Sequence, residues 1–205
     1  MSSGAPAGGK RERTRAALVA AALEIVAEKG FAAASLDEIA ARAGMTKGAI
    51  YSNFAGKAEL LLAAMMAKGM TVEAAAAPGA SLADHVRGMG RALADTIRRA
   101  HGEEALVAQF QIYALADPEL RAGLGEAYAA IFAQSAAYLA AMPGADDLAM
   151  PPSRLAVALQ AVALGLTVQS FLTPTEVTDT LIGETLRTFA AGLERRAADD
   201  GLTRP

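Results

Sequence analysis

No stretch of this chain alternates apolar and polar residues over the length of a strand. Its apolar residues recur three and four apart, the spacing of one face of an α-helix, from Leu18, Ala22, Ile25 and Val26 near one end to Leu181, Ile182, Leu186 and Phe189 near the other. About a quarter of the chain is Ala, the strongest helix former and a poor strand former. The spacing and the composition together predict an all-α fold and exclude sandwiches and barrels. At 205 residues, with 53% hydrophobic and 20% charged residues, the chain is globular and large enough for one compact unit carrying a small module.

The breakers divide it further. Residues 1–10 are small and polar, lack the apolar stretch of a signal peptide, and are expected to be a disordered tail. Arg13 to Gly30 reads as a helix stopped by glycine. Ser35-Leu36-Asp37-Glu38 is a capping box, in which Ser35 caps the amide three on and Glu38 reaches back. The helix it opens is broken at Gly44, and Thr46 is the expected N-cap of a third helix, Lys47 to Phe54. A long helix from Lys57 to about Ala77 follows, ended by Pro78-Gly79. Five more helices are expected at about 81–100, 103–116, 118–142, 153–172 and 175–197, separated by His101-Gly102, Asp117-Pro118, the loop around Pro143-Gly144 and Pro151-Pro152, and Thr173-Pro174. The expected domains are therefore the tail, a head over 11–70 with its motif at 35–54, and a helical bundle over 71–205.

The apolar run Leu155 to Leu172 has the length of a borderline membrane span. It contains Gln160, Thr167, Gln169 and Ser170 and has no aromatic belt, so it is expected to pack on its own core and on a second subunit. The absence of Cys removes disulfides, thiolate nucleophiles and zinc–thiolate sites, and fits the cytoplasm. His85 and His101 have no carboxylate at ligand spacing. The stretch Gly4 to Lys10 has Arg11 where a phosphate loop needs Ser or Thr, and Gly88-Met89-Gly90 lacks a preceding strand. No enzyme, metal or cofactor is expected.

Charge is uneven. Residues 1–70 hold nine Lys/Arg and six Asp/Glu, and residues 71–205 hold ten Arg and sixteen Asp/Glu, a head of +3 on a body of −6. A basic head suggests a polyanionic partner. Two short helices joined by a tight Gly turn and followed by a long helix form the helix-turn-helix pattern.

Residues 21–63 carry a sharper signal. Ala22, Leu23, Gly30, Ser35, Ile39, Ala40, Ala43, Gly44, Gly48, Tyr51, Asn53, Phe54, Lys57 and Leu60 fall in one register without gaps. This stretch resembles the DNA-binding domain of the TetR (tetracycline-repressor-like) family of bacterial transcription regulators. It departs from that pattern at Val26, where Phe is usual, at Ala34, where a hydroxyl is usual, and at Ala49 and Ala58, where polar residues are usual.

The resemblance implies a DNA-binding surface built from Arg15, Ser35, Thr46, Lys47, Gly48, Ala49, Tyr51, Ser52, Asn53 and Lys57. Helix N-termini offer amides to phosphate, and Ser35 and Thr46 stand at two such starts. Lys47 and Lys57 can neutralise phosphates, the Tyr51 hydroxyl can donate to one, and Gly48 removes a side chain where the helix enters the groove. Base reading would fall to Thr46, Lys47, Ala49 and Ser52. Asn53 can read adenine or touch the backbone. Arg11, Arg13 and Arg15 either reach phosphate or the minor groove, or form a solvated tail.

The family likeness further implies a bundle that dimerises through its last two helices and holds a ligand among the middle ones. The expected interface comprises Leu159, Ala161, Val162, Gly165, Leu166, Leu181, Ile182, Leu186, Phe189 and Leu193. The expected pocket, mostly apolar, comprises Met66, Met89, Leu93, Gln109, Phe110, Tyr113, Tyr128, Phe132, Gln134 and Val168. The function so implied is that of a dimeric repressor released from a near-palindromic DNA operator by a small, largely apolar effector. The alternative is a DNA-binding regulator or architectural protein without a small-molecule effector.

Overall fold

The computed structural model describes residues 7–69, 79–100, 105–145 and 150–199, with backbone alone at 7, 8, 83, 99, 100, 105 and 193–199. Among the described residues the regular structure is entirely helical, in the order α1 (Ala7–Ala33), α2 (Leu36–Arg42), α3 (Lys47–Tyr51), α4 (Lys57–Lys68), α5 (Leu82–Ala100), α6 (Ala105–Ala116), α7 (Pro118–Ala140), α8 (Pro152–Leu172) and α9 (Asp179–Asp199).

Local chemistry sets most boundaries. Gly30 breaks the helical dihedrals inside α1 at φ 78°, and the helix resumes for one short turn to Ala33. Asp117 Oδ1 accepts from the amides of Glu119 and Leu120, and Pro118 takes the first helical position of α7, where its missing N–H costs nothing. Ser81 and Asp84 form a capping box at the start of α5: the Asp84 amide donates to Ser81 Oγ, and the Ser81 hydroxyl and amide donate to Asp84 Oδ2. These bonds favour the ionised carboxyl and hold Asp84 at about 2.

Four expected boundaries move. α1 begins at Ala7, inside the stretch expected as tail. α3 ends at Tyr51 rather than Phe54. α4 stops at Lys68, where Gly69 takes φ 88° and closes the helix. α9 starts four residues late, after Thr178, whose hydroxyl accepts from the Leu181 amide. The expected course of α4 to Ala77, together with residues 1–6 and His101, lies outside the described residues.

The chain divides into two compact units. One is Met1–Met70 with Gln109–Glu126, and the other is Thr71–Ala108 with Ala127–Pro205. The first differs from the head expected over 11–70, because the end of α6 and the start of α7 join it. The Phe31 ring lies 5.3 Å from that of Phe110 and stacks on Tyr113 at 5.6 Å. Its core is Leu18, Ala22, Ile25, Val26, Ile39, Ile50, Phe54, Leu60, Leu61 and Met65, all buried. Val26, smaller than the usual Phe, is fully enclosed, and so is Ala34.

In the second unit, α5 packs along α9 and α8. One cluster joins Leu82, Val86, Leu139, Leu155, Ala156, Leu159, Leu186 and Ala190; another joins Leu93, Ala94, Ile97, Ala163 and Ile182. A Cβ at Gly90 would meet Leu186 Cδ1 at 3.3 Å, so glycine lets α5 and α9 approach closely there. His85, 7% exposed, packs its ring 5.1 Å from Tyr138 and is held below the ordinary histidine range by burial.

Candidate nucleic-acid interface

The motif is assembled by caps and a turn. Ser35 Oγ accepts from the Glu38 amide, as expected. The Glu38 carboxylate returns to the Ser35 hydroxyl at 2.9 Å and also pairs with Lys29. The Lys29 bond, followed by the Ser35 bond, holds the Glu38 carboxyl below its ordinary range. After α2, Gly44 takes φ 65°. Its amide donates to Ala41 O and that of Met45 to Ala40 O, the two bonds of a Schellman closure that only a residue tolerant of the left-handed region makes cheaply. Ile39, Ala40, Ile50 and Phe54 face inward and fix α2 against α3.

Most of the head's cations are held by its own residues. Arg42 makes paired bonds of 2.8 Å to the Glu28 carboxylate and a third of 3.0 Å to Glu24, which hold Arg42 above its ordinary range and Glu28 below. Lys47 Nζ lies 3.0 Å from Asp37 Oδ2, and that bond raises the lysine. Lys57 Nζ donates to Ala32 O at 3.3 Å and is lowered by desolvation. Glu59 accepts from the Ala55 amide at 2.7 Å, tying down the loop before α4. The sequence reading overlooked Glu59, although a Glu three residues past Gly56 is a recognisable cap.

Two expected DNA contacts are drawn inward. The Arg15 guanidinium donates to the Asn53 carbonyl oxygen, sits 4.1 Å over the Phe54 ring and lies 3.7 Å from Glu59 Oε1. Asn53 Nδ2 donates to Ala49 O at 2.8 Å, and its Oδ1 is buried without a partner among the described residues. Asn53 therefore offers no paired donor and acceptor edge to a base. Ser35 is occupied by its cap, and Lys57 by Ala32.

What faces outward is one strip. Thr46 is the N-cap of α3, as expected, through its backbone: the Ala49 amide donates to its carbonyl oxygen, while its side chain makes no capping bond and is exposed. Lys47, Gly48, Tyr51 and Ser52 are exposed and Ala49 is half-buried, with Tyr51 56% exposed. The Ser52 hydroxyl donates to Gly48 O at 2.8 Å. Gly48 has no left-handed φ, and a Cβ there would meet only Thr46 Oγ1, at an ordinary 3.6 Å. Neither its backbone nor the packing of the head requires glycine at this position.

The other expected sites fall in both units. In the first unit Phe110 is buried, Tyr113 stacks on Phe31, and Met66 and Gln109 are exposed. In the second, Leu93 is core in one cluster and Met89 packs against the other, which holds Val86 and Leu155. Tyr128 stacks on Phe132 at 5.4 Å and takes a long 3.5 Å contact from Gln160, Gln134 is exposed, and Val168 is half-buried. Among the expected interface residues, Leu159, Ile182 and Leu186 are buried in the unit's own core, so they present no surface. Val162, Leu166 and Phe189 pack against that core, whereas Ala161, Gly165 and Leu181 are exposed; the Leu193 side chain lies outside the described residues.

The family of bacterial regulatory proteins known as the tetR family matches residues 18–64. The HTH-type transcriptional regulator SrpR of Pseudomonas putida is 42% identical over 62 residues, which cover 30% of this chain and 29% of SrpR. The match thus spans under a third of that curated relative's length. Among solved structures, a TetR-family transcriptional regulator from Rhodococcus sp. superposes at TM-score 0.71 with 18% identity, over 89% of this chain and 99% of that one. The multidrug binding protein EbrR, complexed with imidazole, superposes at TM-score 0.64 with 27% identity, over 85% and 88%. The chain carries the N-terminal helix-turn-helix module of the tetR family at residues 18–64 and the all-helical fold of that family's regulators.

Proposed function

We propose that this protein is a dimeric, cytoplasmic DNA-binding transcriptional regulator, a repressor released from a near-palindromic operator by a small, largely apolar effector. The observation that carries the DNA-binding reading is the strip at Thr46, Lys47, Gly48, Tyr51 and Ser52. It is exposed, supported from behind by Ile50 and Phe54, and has a glycine that the fold itself does not require. A bare backbone at Gly48 lets a phosphate or base edge come closer than any side chain would allow. The Tyr51 hydroxyl and Lys47 add donors that position a duplex without reading its sequence.

Two-fold pairing is supported by α8 and α9. Val157, Leu172 and Leu181 are 47%, 69% and 38% exposed, and Ala161 and Gly165 leave α8 open to close approach. Leu181 and Phe189 also line a shallow groove on α9 with Met150, Thr185, Thr188 and Gly192. α8 is long and apolar enough to cross a membrane by length and composition, with mean hydropathy 1.8. A helix with one face in its own core and the other against a second copy meets the same description. The effector reading draws support from the likeness to EbrR, a multidrug binding protein.

Selection of bound sequences from a random DNA pool at two salt concentrations tests this. The expected outcome is a near-palindrome whose half-sites lie about one helical turn, ~34–36 Å, apart. A steep salt dependence with no enriched sequence would leave only phosphate contacts and remove the operator reading.

A further inference from the structure

We infer that the second unit holds a separate binding site for an oxyanion, a carboxylate or phosphoryl group on a small molecule, in the cleft between α5 and α9. Arg87, Arg91, Ala94 and Arg98 repeat four, three and four apart on α5, and Asp179, Gly183 and Arg187 repeat four apart on α9. Together with Gly90 and Asp95 they line one cleft of about 310 Å³. Arg98 pairs with Asp179 and Gly90 lies beside Gly183 and Leu186, so the two helices run antiparallel and Arg187 comes opposite Arg87 and Arg91.

The charges in this cleft are unevenly matched. At one end Asp95 and Asp179 both bond Arg98, the latter at 3.0 Å. At the other, Arg87 is held by Asp84, while Arg91 and Arg187 have no ion pair or hydrogen bond among the described residues. Free guanidiniums near one another repel and, on flexible side chains, would be expected to splay into water. Arg187 instead lies back over Gly183: a Cβ there would stand 3.4 Å from Arg187 Nη1 and 3.9 Å from its Cζ. Gly90, Ala94 and Gly183 give the cleft a floor with nothing longer than a methyl group. The cleft thus presents two uncommitted planar donor forks above a shallow floor. This matches the two-oxygen edge of a carboxylate or phosphoryl group, which guanidinium binds in paired hydrogen bonds. The setting adds weight: residues 71–205 carry −6 overall, yet four of their ten arginines meet here.

The test uses the full chain without DNA, so its outcome is independent of the operator reading. Thermal denaturation and calorimetric titration are run with inorganic phosphate and, separately, with succinate, at ionic strength held constant with sodium chloride. The expected result is saturable stabilisation by at least one of the two. Its apparent Kd should weaken about tenfold or more in Arg91→Gln and in Arg187→Gln, and stay unchanged in Arg154→Gln, an exposed arginine on α8 outside the cleft. Saturation by phosphate alone assigns a phosphoryl ligand, and by succinate alone a carboxylate. Two results would overturn the inference. One is stabilisation that never saturates or is equal in all variants, which is a bulk salt effect. The other is an Arg91→Gln or Arg187→Gln protein whose dimerisation constant changes while neither anion binds, which would make the arginines contacts to a second copy.

Discussion

In the first unit, Arg15, Lys29, Arg42, Lys47 and Lys57 each have a partner within the unit. On the α5–α9 face of the second unit, Arg91 and Arg187 have none among the described residues. The head's +3 suggests a polyanionic partner, yet much of its positive charge is used to tie the motif together. The acidic body suggested nothing for an anion, yet it gathers uncommitted guanidiniums. Net charge over a segment is thus a poor guide to where charge is available. Exposure and pairing decide that, and both depend on residues distant in sequence.

The contrast can be broken first at the support of the head. Phe54→Ala removes a ring that is 2% exposed and also takes away the surface under Arg15. It should cost about 3–5 kcal/mol in chemical denaturation, and a loss below about 1 kcal/mol would show that the ring is not a core element. Next, Arg15→Gln should lower stability by about 1–2 kcal/mol in the absence of DNA, because a charge-assisted bond to the Asn53 carbonyl and the ring contact both go. If stability stays level while DNA binding drops, Arg15 belongs to the interface after all.

Gly48→Ala separates folding from recognition. The space at Gly48 admits a methyl group, so stability should hold or rise by under about 1 kcal/mol, while affinity for a selected operator falls about tenfold. Equal affinity would mean that DNA does not approach the backbone there.

The smallest effect is a pH dependence in the second unit. Burial keeps His85 neutral, with its folded value below the ordinary 6.5. The unfolded chain therefore takes up the proton first, and stability should fall as pH drops below about 6.5 and be full above it. His85→Phe keeps the packing on Tyr138 and should flatten that slope in melting curves between about pH 7.5 and 5.5. An unchanged slope would place its origin elsewhere. Asp84 acts in a separate window: its carboxyl sits at about 2, so its contribution is present above the ordinary 3.8 and lost as pH falls from there toward 2.

Where bonding partners are close in sequence, the bonds are legible in it. Ser35 with Glu38, Gly44 in the turn, and Asp117 with Pro118 all make their bonds within a few residues, so a local pattern specifies them. Remote partners leave no such pattern. Arg15 meets Asn53 across 38 residues, and no spacing rule distinguishes that contact from a contact to phosphate. Phe110 and Tyr113 looked like pocket residues because nothing local shows that Phe31 covers them. The stripe that holds Ile182 and Leu186 suits a subunit interface or a core equally, and the structure buries both in the core of their own unit.

The sequence alone determined that the chain is helical, where most of its helices are punctuated, and that residues 35–54 carry a helix-turn-helix motif, because helix propensity, caps and the motif are all written in short-range order. Only the tertiary structure decided which side of each apolar stripe is buried, which cations of the head are free, and that arginines on α5 and α9 share one cleft. Periodicity states which residues share a face; what that face meets depends on how helices far apart in sequence pack.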